Sequence, residues 1–443
     1  MSTILIKNAL IVTMNSNREV FEGNLLVEND RIKTLGKEDY PADIIIDGKG
    51  QVIIPGLIQS HIHLCQALFR GQADDLELLD WLKTRIWPLE GAHDPESLYY
   101  SALLGIGELF RSGSTAIIDM ESVNHTEVAF EAIVKTGLRA LSGKCMMDWG
   151  EGVPESLLEK TEDSLGKSID LLEKWHGQGE GRLSYAFAPR FAISCSEDLL
   201  KQVGELARKY QVKIHTHASE NRGEIMLVEK ERGMRNIVYF DHLGLANEDL
   251  ILAHCIWLDD QEMDIIKHNK VKVAHCPSSN LKLGSGIAKI PEMIDRGIEV
   301  SIGADGAPCN NNLDQFIEMR TAALIQKPIY GPTAMPAETV FEAATLGGAK
   351  AMGLATEIGS LESGKKADLA MVNLRKLHCT PFVGSNIYAQ LVYQAKGSDV
   401  SLTMVDGKIV YENGELKTID EKDVIAKTNK LIKHVYERAG LIS

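Results

Sequence analysis

The feature that most limits the possible folds is a repeating alternation of apolar β-rich runs and amphipathic stretches through the middle of the chain. The β-rich runs end at intervals of roughly 25 to 35 residues, which is the spacing of βαβ units in a parallel barrel. Apolar residues recur at helical spacing in the stretches between them. The predicted strands are 53–63, 115–120, 139–147, 183–190, 213–219, 250–257, 272–278 and 300–306. Eight such runs favour an α/β fold of the (β/α)8 barrel type.

An open, doubly wound sheet is the competing architecture for the same alternation. Such a sheet would carry a glycine-rich phosphate loop directly after its first strand. In this chain the corresponding place holds HIHLCQ at 61–66. The barrel is therefore favoured.

Both ends of the chain have a different texture, with short alternating strands and close turns. Residues 3–14 and 24–35 form one such group, and residues 367–373 and 401–411 form another. The dipeptide Asp406-Gly407 in the second group is a type I′ hairpin signal. We expect the two ends to build one β-sandwich domain, with the barrel inserted between them. The predicted segments are 1–56 (sandwich), 57–360 (barrel), 361–415 (sandwich) and 416–443 (C-terminal helix).

Composition and charge limit the partners that the protein can have. The chain has 443 residues and a formal net charge of −15 with no basic stripe, which argues against a nucleic acid or an anionic membrane as partner. No apolar run is long enough to span a bilayer, and the first residues lack the pattern of a signal peptide. The seven cysteines include no CxxC pair, which is typical of reduced thiols. We expect a cytoplasmic homo-oligomer that acts on a small molecule.

Polar residues follow the predicted barrel strands, where catalytic groups of such barrels lie. His61 and His63 end the first strand, and because side chains alternate along a strand they project from one face. The later strand ends carry His215, His217, Glu220, His254, His275 and Asp305. Imidazole is a common ligand of catalytic divalent metals, so this ring predicts a metal site. Core packing is the favoured interpretation of His215 and His275, and Glu220 could instead begin a helix.

Six motifs occur in a specific order along the chain. They are PGLIQSHIHL at 55–64, HASE at 217–220, AHC at 253–255, SNLKLGSG at 279–286, GADGAP at 303–308 and GSLESGKKADL at 359–369. Together they resemble the amidohydrolase superfamily, in its branch of adenosine-type and triazine-type aminohydrolases and chlorohydrolases. The resemblance covers essentially the whole chain. It implies a distorted (β/α)8 TIM barrel with a β-sandwich made from both chain ends, in agreement with the strand pattern.

The resemblance also implies a ligand set for one divalent metal ion, consisting of His61, His63, His217 and Asp305. Asp305 would in addition accept the proton of the attacking water. Two-metal relatives carry a carboxylated lysine at the end of strand four, where this chain has Arg190, so we expect one ion per chain. Zinc is the first choice for that ion, and iron(II) accepts the same ligands.

Glu220 and His254 would move the remaining protons. An amine that leaves an aromatic amidine carbon needs a hydroxide nucleophile, which a metal supplies at neutral pH by lowering the pKa of water. It also needs a proton on the ring nitrogen and a proton on the departing ammonia. Glu220, which would also contact the substrate, and His254 fit these two tasks.

Further resemblances to particular deaminases bear on the identity of the substrate. The segment 68–90 resembles the lid of deaminases that act on 5′-deoxyadenosine, methylthioadenosine and S-adenosylhomocysteine, where a tryptophan matching Trp81 lies near the substrate; 303–316 is also similar to theirs. Gln66 and Arg190 are instead reminiscent of guanine deaminases. The favoured function is metal-dependent hydrolytic deamination of a 5′-modified adenosine to the inosine analogue and ammonia. Guanine or pterin deamination and triazine amino- or chlorohydrolysis are the alternatives.

Two other classes of function stay open. A barrel of this fold can lose its metal and serve as a binding subunit, because fold alone does not prove activity. Such a relative is expected to lack at least one of the ligands, and this chain lacks none of them. A cyclic-amide hydrolase would use the same groups without releasing ammonia, so an ammonia assay separates it from a deaminase.

The predicted ligands give a direct expectation for the metal. The purified protein should contain about one divalent ion per chain if the ligands form one closed set with water in an open position. His61→Ala should lose both the metal and turnover, because it removes one of the imidazole ligands. Elemental analysis of the two proteins is the measurement. Two ions per chain, or full activity without metal, would contradict the expectation.

Overall fold

The computed structural model describes residues 2–382 and 386–441, so parts of the predicted segments 1–56, 361–415 and 416–443 lie outside the described residues. The strands described are β1 Thr3–Val12, β2 Val20–Glu28, β3 Arg31–Gly36, β4 Ile44–Asp47, β5 Val52–Pro55, β6 Leu57–Ile62, β7 Ser114–Met120, β8 Arg139–Gly143, β9 Cys145–Met146, β10 Leu183–Pro189, β11 Lys213–Ala218, β12 Leu250–His254, β13 Lys272–His275, β14 Val300–Ile302, β15 Leu369–Val372, β16 Val400–Val405, β17 Lys408–Glu412 and β18 Glu415–Leu416. The longer α-helices described are Pro95–Arg111, Thr126–Thr136, Thr161–Trp175, Glu197–Tyr210, Arg222–Arg232, Asn236–His242, Asp260–His268, Gln315–Tyr330, Ile387–Tyr393 and Glu421–Arg438. None of the helices in this part of the chain is long and apolar enough to cross a membrane.

Parallel strands from the middle of the chain form the barrel. Within the described residues their hydrogen-bonded order is β14-β13-β12-β11-β10-β8-β7-β6, with the short β9 beside β10. Each of the eight predicted runs overlaps at least one strand of this sheet. The predicted (β/α)8 barrel is therefore confirmed.

The first predicted strand, 53–63, is in fact two strands that belong to different sheets. β5 pairs with β1 and β15 in the sheet of the chain ends, whereas β6 pairs with β7 in the barrel. Gly56 separates them, and a Cβ atom at this position would lie 2.0 Å from Thr115 Oγ1. Pro55-Gly56 marks the break in the sequence, but both halves are fully buried and no local pattern shows that they join different sheets.

Strands from both chain ends form a second, mixed sheet, as the sequence predicted. Its order is β18-β17-β16-β15-β5-β1-β2-β3, with β4 beside β1. The hairpin between β16 and β17 turns on Asp406 and Gly407, whose φ angles of +52° and +73° are those of the predicted type I′ turn. The segment boundaries at 56, 360 and 415 stay predictions. The apolar side chains of this sheet make a cluster of their own, which includes Ile4, Ile6, Leu25, Ile53, Met371 and Met404.

A buried arginine ties the barrel to this second sheet. Arg139 begins β8, and its guanidinium donates to Asp368 Oδ2 at 2.7 Å and to Asp368 Oδ1 at 3.0 Å. It also donates to Asp406 Oδ1 at 3.1 Å. Breaking a buried ion pair is strongly destabilising, because it leaves an uncompensated charge. The two sheets are therefore held in one relative position.

The barrel closes where β14 meets β6. Asp305 N, just after β14, donates to His61 O on β6 at 2.9 Å. A Cβ atom on Gly303 would lie 2.5 Å from His61 N and 2.7 Å from His61 O, so only glycine allows this approach. The seam thus sets the spacing between His61 and Asp305.

Gly303→Ala should destabilise the protein, because the added methyl group presses on the backbone of His61. Overpacking of this kind costs about 1–3 kcal/mol. Gly166→Ala is the matched control, since Gly166 lies inside the helix Thr161–Trp175 with open space at its Cβ position. Alanine there should stabilise the helix by about 0.5–1 kcal/mol. Urea unfolding of the wild type and the two variants measures both effects. A Gly303→Ala protein as stable as the wild type would show that Gly303 is not tightly packed against the backbone of His61.

Candidate active site

Three histidines converge at the C-terminal ends of β6 and β11. His63 Nδ1 lies 2.8 Å from Met120 O, and His217 Nδ1 lies 2.7 Å from Arg190 O. Since a carbonyl oxygen only accepts, each of these Nδ1 atoms donates, and in the neutral ring Nε2 keeps its lone pair. The two Nε2 atoms are 3.3 Å apart, and donor atoms of His61, His63 and His217 all lie within 4.8 Å of one another. The three rings can therefore bind one ion together.

Asp305 follows β14 and faces these rings. Its Oδ1 lies 3.3 Å from Nε2 of His61 and 3.3 Å from Nε2 of His63. The residue has φ of +64°, a strained conformation of the kind that clusters at functional sites. Ser279 Oγ donates to Oδ2 at 2.7 Å, and Gly306 N donates to Oδ1 at 2.7 Å. The carboxylate is thus held in one orientation toward the imidazoles.

These buried donor atoms fit a divalent cation. Burial lowers the pKa of His61 to about 4 and the pKa of His217 well below its usual range, so both rings are neutral, the form that binds metals. Burial alone would raise the pKa of Asp305, but the imidazoles of His61 and His63 beside it lower it well below its usual range. His61 Nε2 is buried without a hydrogen-bond partner in the described chain. Three imidazoles and one ionised carboxylate suit a tetrahedral site that keeps an open position.

Glu220 and His254 lie beside this set. His254 Nε2 is 3.4 Å from Glu220 Oε2 and 3.8 Å from Asp305 Oδ2. Burial, together with the charges of Asp305 and Glu224, raises the pKa of Glu220 well above its usual range, which favours its protonated form. Burial lowers the pKa of His254, which keeps that ring neutral. The pair therefore places a proton donor next to a proton acceptor.

Comparison with known proteins identifies the family. The profile described as "Amidohydrolase family" matches residues 52–410. The chain belongs to the amidohydrolase family. It is 40% identical to a 5′-deoxyadenosine deaminase of Methanobrevibacter smithii, over 98% of this chain and 99% of the relative. It is 39% identical to a 5-methylthioadenosine/S-adenosylhomocysteine deaminase of Moorella thermoacetica, over 97% of this chain and 99% of the relative.

A solved structure adds information about the metal. An adenosine deaminase from Xanthomonas campestris with bound zinc superposes with a TM-score of 0.92 at 30% identity, covering 98% of this chain and 99% of that chain. The family, this zinc-bound neighbour and the donor set described above together support a divalent metal in this amidohydrolase.

Arg190 of this amidohydrolase, a predicted substrate contact, forms a buried ion pair. Its Nη1 and Nη2 donate to the two carboxylate oxygens of Glu90, the second at 3.1 Å. Gln66, another predicted substrate contact, donates to Glu90 Oε1 at 2.7 Å. Arg190 Nε and Gln66 Oε1 have no hydrogen-bond partner among the residues that the structure describes. A substrate contact through either residue stays a prediction.

Trp81 lies in the predicted lid, which is helical. The helix Leu78–Trp81 continues through a π-helical turn, Leu82–Ile86, into the helix Trp87–Gly91. Such turns are frequent at functional sites. The lid reaches the end of β10, because Glu90 near its end holds Arg190. The Trp81 side chain is buried, and its contact with substrate stays a prediction.

Some residues that orient the site were not predicted as site residues. Asn280 Oδ1 accepts from His254 Nδ1 at 2.8 Å, and Ser279 orients Asp305 as described above. Both belong to the SNLKLGSG motif, which was the signal available in the sequence. Each contact joins positions 26 residues apart on different elements, so local spacing could not reveal it.

Arg190→Ala should lower the free energy of unfolding by about 3–5 kcal/mol, because it leaves the Glu90 carboxylate buried without its cation. Adding Glu90→Gln should restore much of that loss, since the charge is removed and a bond to Gln66 can still form. Lys201→Ala is the exposed control; it breaks an i,i+4 pair with Glu197 that is worth about 0.3–0.5 kcal/mol. Urea unfolding measures all four proteins. Wild-type stability of Arg190→Ala would show that the ion pair is not structural.

Proposed function

We propose that this chain is a zinc-dependent hydrolytic deaminase of 5′-modified adenosines. Its substrates would be 5′-deoxyadenosine, methylthioadenosine and S-adenosylhomocysteine, converted to the inosine analogue and ammonia. One observation carries the proposal: a chain 40% identical to a 5′-deoxyadenosine deaminase over nearly its whole length retains every predicted ligand and proton-transfer group. That set consists of His61, His63, His217, Asp305, Glu220 and His254.

The metal would be held by the three histidines and by Asp305, one ion per chain. Zinc is proposed because the donors are imidazole nitrogens and a carboxylate oxygen, and because the related Xanthomonas campestris structure has bound zinc. Iron(II) accepts the same ligands and is the second choice. When bound, such an ion lowers the pKa of a water molecule and so supplies a nucleophile at neutral pH.

The protein's own side chains would manage the protons. Asp305 is ionised, so it can take a proton from the attacking water. Its Oδ2 lies 3.8 Å from His254 Nε2. A small movement would let the proton pass from Asp305 to His254, and from His254 to the leaving amine. Glu220, whose raised pKa favours the protonated form, would donate to the ring nitrogen where negative charge collects.

The substrate contacts proposed are Trp81, Gln66, Arg190 and Glu220. Recognition of a guanine carbonyl would use the donors of Arg190, and each of its two Nη atoms donates one N–H to Glu90. Only Nε lacks a partner in the described part of the chain. Similarity to deaminases of 5′-modified adenosines favours the adenosine-type substrate over guanine or pterin deamination, and triazine hydrolysis is favoured least. The homo-oligomeric state and the cytoplasmic location stay predictions.

A substrate comparison tests the proposal. Wild-type protein loaded with zinc should deaminate 5′-deoxyadenosine or another 5′-modified adenosine with a much higher kcat/KM than guanine, measured by absorbance change and by ammonia release. Glu220→Gln should lower kcat by about 10²–10⁴-fold on the amine substrate, because it removes the proton donor for the ring nitrogen. Glu197→Gln, the same change at an exposed position, is the control and should act like the wild type.

Two outcomes would contradict this function. Turnover of guanine with every 5′-modified adenosine left unchanged would refute the substrate assignment. Turnover of Glu220→Gln within a few-fold of wild type would remove Glu220 from proton transfer.

A further inference from the structure

His215 contacts one of the predicted metal ligands. It lies on β11, two residues before His217, and its Nε2 is 2.7 Å from His61 Nδ1. The two rings meet edge to face, with centroids 4.9 Å apart, and both side chains are fully buried. The sequence favoured core packing for both His215 and His275. The structure distinguishes them, because neither ring nitrogen of His275 has a hydrogen-bond partner in the described residues.

A backbone carbonyl sets the direction of the hydrogen bonds in this pair. His215 Nδ1 lies 3.3 Å from Ile251 O, and since a carbonyl oxygen only accepts, this Nδ1 is the protonated nitrogen. The Nε2 of a neutral His215 is then an acceptor, so His61 Nδ1 donates to it. His61 is left with an unprotonated Nε2. That atom faces Asp305 Oδ1 at 3.3 Å.

His61 differs in this respect from the other two histidines of the site. The Nδ1 atoms of His63 and His217 bond to the main-chain carbonyls of Met120 and Arg190, which no substitution of those residues removes. In the described structure the hydrogen bond of His61 Nδ1 is instead made to a side chain, that of His215. The tautomer of His61 is therefore open to change by a single substitution.

We propose that His215 is a positioning residue of the metal centre, which holds His61 in the tautomer and ring orientation that present a bare Nε2 to a divalent cation. The inference rests on the metal site of the proposed function, and not on its substrate or its turnover. Without the acceptor at residue 215, His61 could carry its proton on Nε2, where proton and cation compete for one lone pair. Outer partners of this kind typically change metal affinity by about 10–100-fold.

Three variants separate positioning from packing. His215→Leu removes the acceptor, whereas His215→Gln offers a side-chain carbonyl oxygen that can accept from His61 Nδ1. His275→Leu makes the same change at a histidine that is equally buried but has no such bond. The zinc dissociation constant of each protein is measured by competition with a chromogenic chelator. We expect His215→Leu to bind zinc about 10–100-fold more weakly, His215→Gln to keep much of the affinity, and His275→Leu to match the wild type.

Several results would overturn the proposal. One is zinc binding by folded His215→Leu as tight as that of the wild type. Another is an equal loss in His215→Leu and His275→Leu, because packing would then explain both. Should His215→Leu fail to fold, nitrogen-15 NMR of the metal-free wild-type protein decides: a proton on His61 Nδ1 supports the proposal, and a proton on His61 Nε2 refutes it. The expected zinc affinities together with no ammonia release from any substrate would support the role of His215 and refute only the proposed function.

Discussion

The close approach of β6 and β14, the first and last barrel strands, brings the histidines of the candidate site together with Asp305. Asp305 N donates to His61 O at 2.9 Å, while Oδ1 of the same Asp305 lies 3.3 Å from His61 Nε2. One pair of residues therefore closes the barrel and brings the carboxylate to the imidazoles. Gly303 makes this possible because it has no side chain to keep the strands apart. The contact that closes the barrel therefore also brings together the residues of the candidate metal site.

Burial determines the protonation states of the side chains in the candidate site. The same removal from water that keeps His61 and His217 neutral also favours the protonated form of Glu220, because a low dielectric disfavours every charged form. Buried polar atoms need partners in such a place, and the structure supplies them from fixed groups. His63 bonds to a main-chain carbonyl, and His254 bonds to a side-chain amide. Each partner also selects which ring nitrogen is exposed to the site.

The ring of polar strand ends could be predicted from the sequence because the carboxyl ends of barrel strands meet at one edge, whatever their separation along the chain. Arg190 shows what this reasoning could not predict, namely the hydrogen-bond partner of a strand-end residue. Its position at a strand end was evident, but its partner Glu90 lies 100 residues earlier, in the lid. Likewise, His215 and His275 received one interpretation from similar local patterns, although in the described structure only His215 makes a hydrogen bond to a predicted ligand histidine.

By itself the sequence determined the barrel, the sheet from the chain ends and the residue types at the strand ends, and with them the chemistry of the donor set. The tertiary structure alone decided the pairings: which histidine supports His61, which residue binds the guanidinium of Arg190, and which sheet each half of the run 53–63 joins. The reason is physical. The period of a strand fixes the face from which a side chain projects, and this is a local property. A hydrogen-bond partner depends on distances between segments that the whole core packs together, which no local pattern contains.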